Sequence, residues 1–156
     1  MAADVAWSQN LTEEVNELMS KVEDLAANGD SDAILALSLA HRSWYGSNDF
    51  DEAYKKANFY LRRSAELGNT TAQTILAGNA LSGANDEIRC LYEYKRWINL
   101  AIDNGSVDAL LAHCEDALEF GWKVDERHRQ MLSEIALTSP RAKKLLRRIS
   151  RRPLPE

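Results

Sequence analysis

Residues 62–72 read RRSAELGNTTA: a charged helical end, a glycine, an asparagine, and an alanine that opens the next apolar stretch. This join decides the fold because the chain makes it repeatedly. ANGDSDA ends at Ala33, ELGNTTA at Ala72, DNGSVDA at Ala109 and LTSPRA at Ala142, at intervals of 39, 37 and 33 residues. Periods of this length belong to repeat architectures in which each unit is a helical hairpin unable to bury its apolar face alone.

The chemistry of the join agrees. Gly29, Gly68 and Gly105 stand where a helix must stop and the backbone turn through positive φ, which glycine does without a Cβ penalty. The next residue, Asp30, Asn69 or Ser106, has a side-chain oxygen able to cap the free amides of the following helix. The fourth join, near residue 138, lacks the glycine and uses Ser139 as cap with Pro140 in the first helical position. Between joins the apolar spacing is helical throughout, as in Leu11, Val15, Leu18, Val22 and Leu25, and no period-two run of β-branched residues occurs. Asn10 with Glu13 and Asp49 with Glu52 read as capping boxes, Asn85 to Glu87 as a further helix start, and Gly83 and Gly121 as helix ends. The expectation is an all-α chain: a tail over 1–10, one domain over 11–150, and a tail over 151–156. That domain holds a half-repeat helix (11–27), three hairpins (31–67, 70–104, 107–137) and a closing helix (140–150).

Composition sets outer bounds. The chain has 156 residues, 45% hydrophobic and 28% charged, with seven glycines and three prolines. This excludes disordered, collagenous and disulfide-framework classes and suits one globular unit. No apolar run approaches the ~20 residues that cross a bilayer, and MAADVAWSQN lacks the basic and apolar segments of a secretory signal. A cytoplasmic protein with Cys90 and Cys114 reduced is expected.

The segment KANFYLRRSAELG (56–68) resembles, without gaps, the second-helix signature of Sel-one-like repeats: a Lys-Ala pair, aromatics, two small residues and a glycine. EYKRWINLAIDNG (93–105) repeats it with Trp97 at the aromatic position, and KVEDLAANG (21–29) looks like the tail of a preceding copy. First helices depart from the pattern, with Leu37-Ser38, Leu76-Ala77 and His113-Cys114 at the usual Leu-Gly positions. The resemblance spans about 21–142. It implies a right-handed α-α superhelix whose concave face, lined by first helices, binds other proteins in bacterial signalling, secretion or toxin neutralisation. It also places Phe59, Tyr60 and Trp97 at packing positions.

Catalytic constellations are hard to assemble from this sequence. His41, His113 and His128 fall in no zinc-binding spacing, adjacent His113 and Cys114 point about 100° apart on a helix, and phosphate-loop, dinucleotide and nucleophile-elbow motifs are missing. No enzyme, cofactor or metal is expected.

Charge is uneven. Residues 1–140 carry 12 Lys and Arg against 23 Asp and Glu, and 141–156 carry 7 against 1. In the tail Ala142, Leu145, Leu146 and Ile149 recur at helical spacing among the cations, as in an amphipathic cap. The leading expectation is a non-enzymatic binding module whose acidic body meets another protein, such as a basic toxin or effector domain, in the manner of an immunity protein. A secretion or regulatory adaptor or a chaperone fits the same features. A nucleic-acid or anionic-surface binder acting through the basic helix is the other class, which the net charge of −5 opposes. Expected partner-binding residues are the acidic strip Asp108, Glu115, Asp116 and Glu119 of the third hairpin, with Arg42, Trp44, Tyr45 and Trp122.

Overall fold

A computed structural model describes the backbone of residues 2–43, 49–82 and 87–151, with side chains from 13 onward, omitting 87 and 88. Among these residues there are eight helices and no strand: α1 (Ala2–Ala27), α2 (Ser31–Arg42), α3 (Phe50–Glu66), α4 (Thr70–Leu81), α5 (Glu87–Asp103), α6 (Val107–Phe120), α7 (Glu126–Ile135) and α8 (Pro140–Ser150). No helix among the described residues is long and apolar enough to cross a membrane.

Each join has the geometry its residues dictate. Gly68 has φ +94°, and Gly29 and Gly105 both have φ +87°. At Gly68 the backbone N–H reaches back to Ala65 O (3.1 Å) and the N–H of Asn69 to Ser64 O (3.2 Å), which satisfies two carbonyls at the end of α3. The pattern recurs at Gly29 with Asp30 and at Gly105 with Ser106. The same polar residue then caps the next helix. The N–H of Ala33 donates to Asp30 (2.8 Å), that of Ala72 to Asn69 (2.9 Å), that of Ala109 to Ser106 (3.2 Å), and that of Ala142 to Ser139 (3.3 Å). All four alanines are buried.

The chain divides into two compact units, Met1–Leu76 and Ala77–Glu156, where the sequence reading expects a single one. In the first, α2 packs against α1 and α3. Small residues let α2 and α3 approach closely: Ser38 Oγ donates to Ala57 O (2.8 Å) and Ser64 Oγ to Ser31 O (2.7 Å). Asn69 Nδ2 reaches Asp32 Oδ1 at 2.6 Å, and the fully buried Gln73 donates to Ala65 O at 2.9 Å, so the second join is tied to the start of α2 and to the end of α3. In the second unit α6 packs against α5, α7 and α8. Its core holds Tyr94, Trp97, Ile98 and Ile102 of α5, Leu110 and Cys114 of α6, Leu132 of α7, and Leu145 and Ile149 of α8. Each large apolar side chain buried there contributes about 1.5–3 kcal/mol.

Two expectations are corrected. Helix α1 starts at Ala2, not after Asn10. An asparagine caps only where the chain before it leaves the helix, and Ala2, Ala3 and Ala6 favour continuing it. Phe59 is 65% exposed, because α3 buries Ala53, Ala57, Leu61, Ser64 and Ala65, and a residue two positions from both Ala57 and Leu61 lies on the far face. At Asp49 the expected helix start is met, its side chain accepting from the N–H groups of Asp51 and Glu52, and the Glu52 carboxylate takes Lys56 at 2.7 Å as a helical pair. Gly46, Gly83, Asn85 and Asp86 lie outside the described residues.

Replacing Gly68 by valine should cost about 1–2 kcal/mol through positive-φ strain alone, since a Cβ there meets nothing within 4 Å. Gly78, inside α4 with the same free space, is the control: alanine there should stabilise by about 0.5–1 kcal/mol. Thermal melts check both, and equal losses would refute the assignment of Gly68 as a helix stop. Truncation after Ser139 should lower the melting temperature or cause aggregation, because Ala142, Leu145 and Ile149 are buried against the unit.

Candidate functional site

The densest polar and aromatic grouping lies in the second unit, around α6. Tyr94 of α5, 1% exposed, brings its hydroxyl to 2.8 Å from Asp116 Oδ2 and 3.1 Å from His113 Nδ1. The hydroxyl has one proton. An ionised Asp116 only accepts, so that proton goes to the carboxylate, and the phenol oxygen accepts from His113 Nδ1–H. This assigns His113 as a neutral imidazole protonated on Nδ1.

The cluster continues behind His113. The ring of His128 lies edge-on to it with centroids 4.9 Å apart. Asp125 caps α7 by accepting from the His128 N–H at 2.8 Å, and its second oxygen is 3.0 Å from His128 Nδ1. That approach is close enough for an ion pair with a protonated ring but lacks hydrogen-bond geometry, leaving Nδ1 buried without a formed bond. Burial, reinforced by His128, pushes the His113 pKa down to about 4. Burial also pushes the Cys114 thiol up to about 12 and raises Tyr94 beyond its ordinary range. Asp116 is raised by burial against the opposing effect of the Tyr94 hydrogen bond. A thiol held protonated is a poor nucleophile, and Tyr94 acts here as a structural donor.

At the surface the same cluster ends in aromatics. Trp122 packs on Tyr94 with ring centroids 5.4 Å apart, and Phe120, 51% exposed, stacks on Trp122 at 4.9 Å. Gly121, at φ +82°, turns the chain between them. Glu119 is exposed in the same turn. The site therefore presents an aromatic platform, anchored by a buried tyrosine and edged by carboxylates.

Of the residues singled out in the sequence, Asp116, Glu119 and Trp122 come together here. Glu115 is differently engaged: Arg141 of α8 grips it with two hydrogen bonds, 3.0 and 2.7 Å long, which hold its carboxyl below the usual range. Asp108 is exposed in the first turn of α6. Arg42 is exposed at the end of α2 in the other unit, and Trp44 and Tyr45 lie outside the described residues. Sequence reasoning missed Phe120, Asp125 and the places of Tyr94 and His128. Asp125 was readable as a helix cap, whereas nothing in the periodicity joins Tyr94 to a histidine 19 residues later. Neither Cys90 nor Cys114 forms a disulfide, and among the described residues no three His, Cys, Asp or Glu side chains converge as metal ligands.

Comparison with protein-family profiles, curated proteins and solved structures found no match to this chain.

His113 makes stability pH-dependent. Its folded pKa, about 4, lies below the ordinary 6.5, so between these values the unfolded chain binds more protons and folding weakens as pH falls. The loss should be on the order of 2–3 kcal/mol from pH 7 to 4, offset in part by Asp116, whose raised pKa acts in the opposite sense. Denaturant melts across this range should show His113→Gln with a flatter profile than the parent; parallel profiles would exclude His113 as the source.

Proposed function

We propose that this chain is a non-enzymatic protein-binding module of the Sel-one-like repeat type, its hairpins stacked as a right-handed superhelix, and that it occludes or escorts a basic protein partner. The observation that carries the reading is the exposed Phe120 ring stacked on Trp122 beside Asp116 and Glu119. A rigid aromatic with its underside packed and its upper face open is the kind of group that anchors interfaces, where a few aromatics hold most of the binding energy. Its carboxylate edge favours a partner rich in lysine and arginine. The repeated joins support the repeat assignment, which rests on the residues at 21–29, 56–68 and 93–105.

An inhibitor that covers a basic toxin domain fits best with the acidic body, and an adaptor or chaperone uses the same surface. The basic helix α8 is better read as a cap than as a nucleic-acid arm, since Ala142, Leu145 and Ile149 are buried and Arg141 is held by Glu115.

Affinity capture from the source cells, followed by association kinetics with the captured partner, tests the proposal. Phe120→Ala should weaken binding at least tenfold, mainly through faster dissociation. Asp108→Lys with Glu119→Lys should slow association at low ionic strength, with the effect fading as salt rises. Glu115 is unsuitable for charge reversal because it would also release Arg141. Unchanged kinetics in both variants would place the interface elsewhere.

A further inference from the structure

The three glycine joins allow corresponding positions in α1, α3 and α5 to be compared within this one chain. Eleven, seven, four and three residues before the glycine, α3 places Ala57, Leu61, Ser64 and Ala65, and α5 places Tyr94, Ile98, Ala101 and Ile102. All eight are buried. In α1 the same positions hold Leu18, Val22, Leu25 and Ala26; Leu18 is 60% and Leu25 51% exposed, and the other two are half-buried.

The hydrogen bonds of α3 tell which neighbour is missing. Ala57 O accepts from Ser38 and Ser64 donates to Ser31, so in α3 the positions eleven and four before the glycine lie against the preceding helix, α2, whereas in α5 the Tyr94 side chain, eleven before its glycine, reaches His113 and Asp116 of the following helix. In α1 these are the two open leucines, and exposed Val15 extends their stripe by one turn. Helix α1 packs against α2, which follows it, and still leaves Val15, Leu18 and Leu25 exposed. It thus keeps a face shaped for a helix in the place that α2 takes on α3.

We infer that the α1 face of Val15, Leu18 and Leu25 seats an amphipathic helix with basic flanks, contributed by a partner protein. Charge selects this occupant. From 13 to 27 the helix bears Glu13, Glu14, Glu17, Glu23 and Asp24 against Lys21, which Glu17 already holds at 2.7 Å. Helical geometry sets Glu14 and Lys21 along one border of the apolar stripe, with Glu17 beyond them holding the Lys21 charge. A second copy of α1 would bring carboxylates against carboxylates, whereas lysine or arginine flanks would neutralise them. Size selects further: Leu18 and Leu25 replace Ala57 and Ser64, so the incoming helix sits farther out than α2 does on α3 or offers small residues opposite the leucines.

This inference rests on the protein-binding reading but concerns a different surface, and its experiment reads α1 alone. Two peptides of about five helical turns, with identical leucine and alanine stripes and either lysine or glutamate flanks, are titrated against the full chain by fluorescence anisotropy. The lysine peptide should bind at least tenfold tighter than the glutamate peptide. Leu18→Asp with Leu25→Asp should weaken it at least tenfold, and Leu18→Ala with Leu25→Ala, which keeps helix propensity, should weaken it in the same direction with an unchanged melt. Asp108→Lys with Glu119→Lys should bind it as the parent does, so failure at α1 is distinguishable from failure at α6. Equal affinities, binding by neither peptide, or binding indifferent to the leucines would overturn the inference. So would a dimer in analytical ultracentrifugation that the leucine substitutions dissolve, since the occupant would then be a second copy.

Discussion

Four backbone amides, those of Ala33, Ala72, Ala109 and Ala142, each donate to a capping oxygen three residues earlier, and the packing near each join depends on that bond. The bond satisfies a donor that the first turn of a helix otherwise leaves without a partner. It also fixes where the helix begins, and hence which residues its inner face presents. Alanine suits the position because its small side chain is buried there. At all four joins the capping residue also closes the preceding helix through its own N–H, so one residue ends one helix and starts the next. A shift of one residue there would rotate the following helix by about 100° and expose its apolar face.

That constraint explains why small residues recur between helices. With the starts of α2 and α3 fixed, Ser38 meets the Ala57 carbonyl and Ser64 the Ser31 carbonyl, contacts that a longer side chain at either serine would push apart. In the second unit the packing is different. Tyr94 and Trp97 occupy the interior, and a large buried phenol requires polar partners. His113 and Asp116 supply them from successive turns of α6. The chain thus keeps one join chemistry while changing how its helices meet, from small residues in close contact to aromatic rings with a hydrogen-bonded network.

What the sequence made legible follows from range. Joins are local: the glycine, the cap and the alanine act within six residues, and the starts of α2, α3, α4, α5, α6 and α8 match their expected positions to within two residues, whereas the start of α7 had none. The start of α1 was not legible, because a capping pair at Asn10 and Glu13 has the same letters whether or not the chain before it is helical. Nor was the neighbour of each apolar stripe. Val15, Leu18 and Leu25 have the spacing of a buried face, and periodicity does not say whether a helix lies over it. The candidate site was half legible. Asp116, Glu119 and Trp122 fall where charge and loop position place them, while Tyr94 and His128 enter through contacts between helices, to which no short pattern is sensitive.

The division of charge acquires a physical reading once burial is known. Helix α8 carries most of the basic excess, yet its apolar residues Ala142, Leu145 and Ile149 are buried in the second unit and its first arginine is bound to Glu115. Its cations are therefore borne by a docked helix whose inner side is already occupied. The acidic residues of α1 border apolar side chains that are still exposed. In α8 basic charge lies on a helix whose hydrophobic side is covered, and in α1 acidic charge lies beside leucines that are still open. Charge beside open apolar surface steers and selects a partner, because that partner gains burial as well as neutralisation; charge beside covered surface offers only the weaker, salt-screened attraction. On this argument the partner we propose meets the acidic helices α1 and α6 and not the basic end.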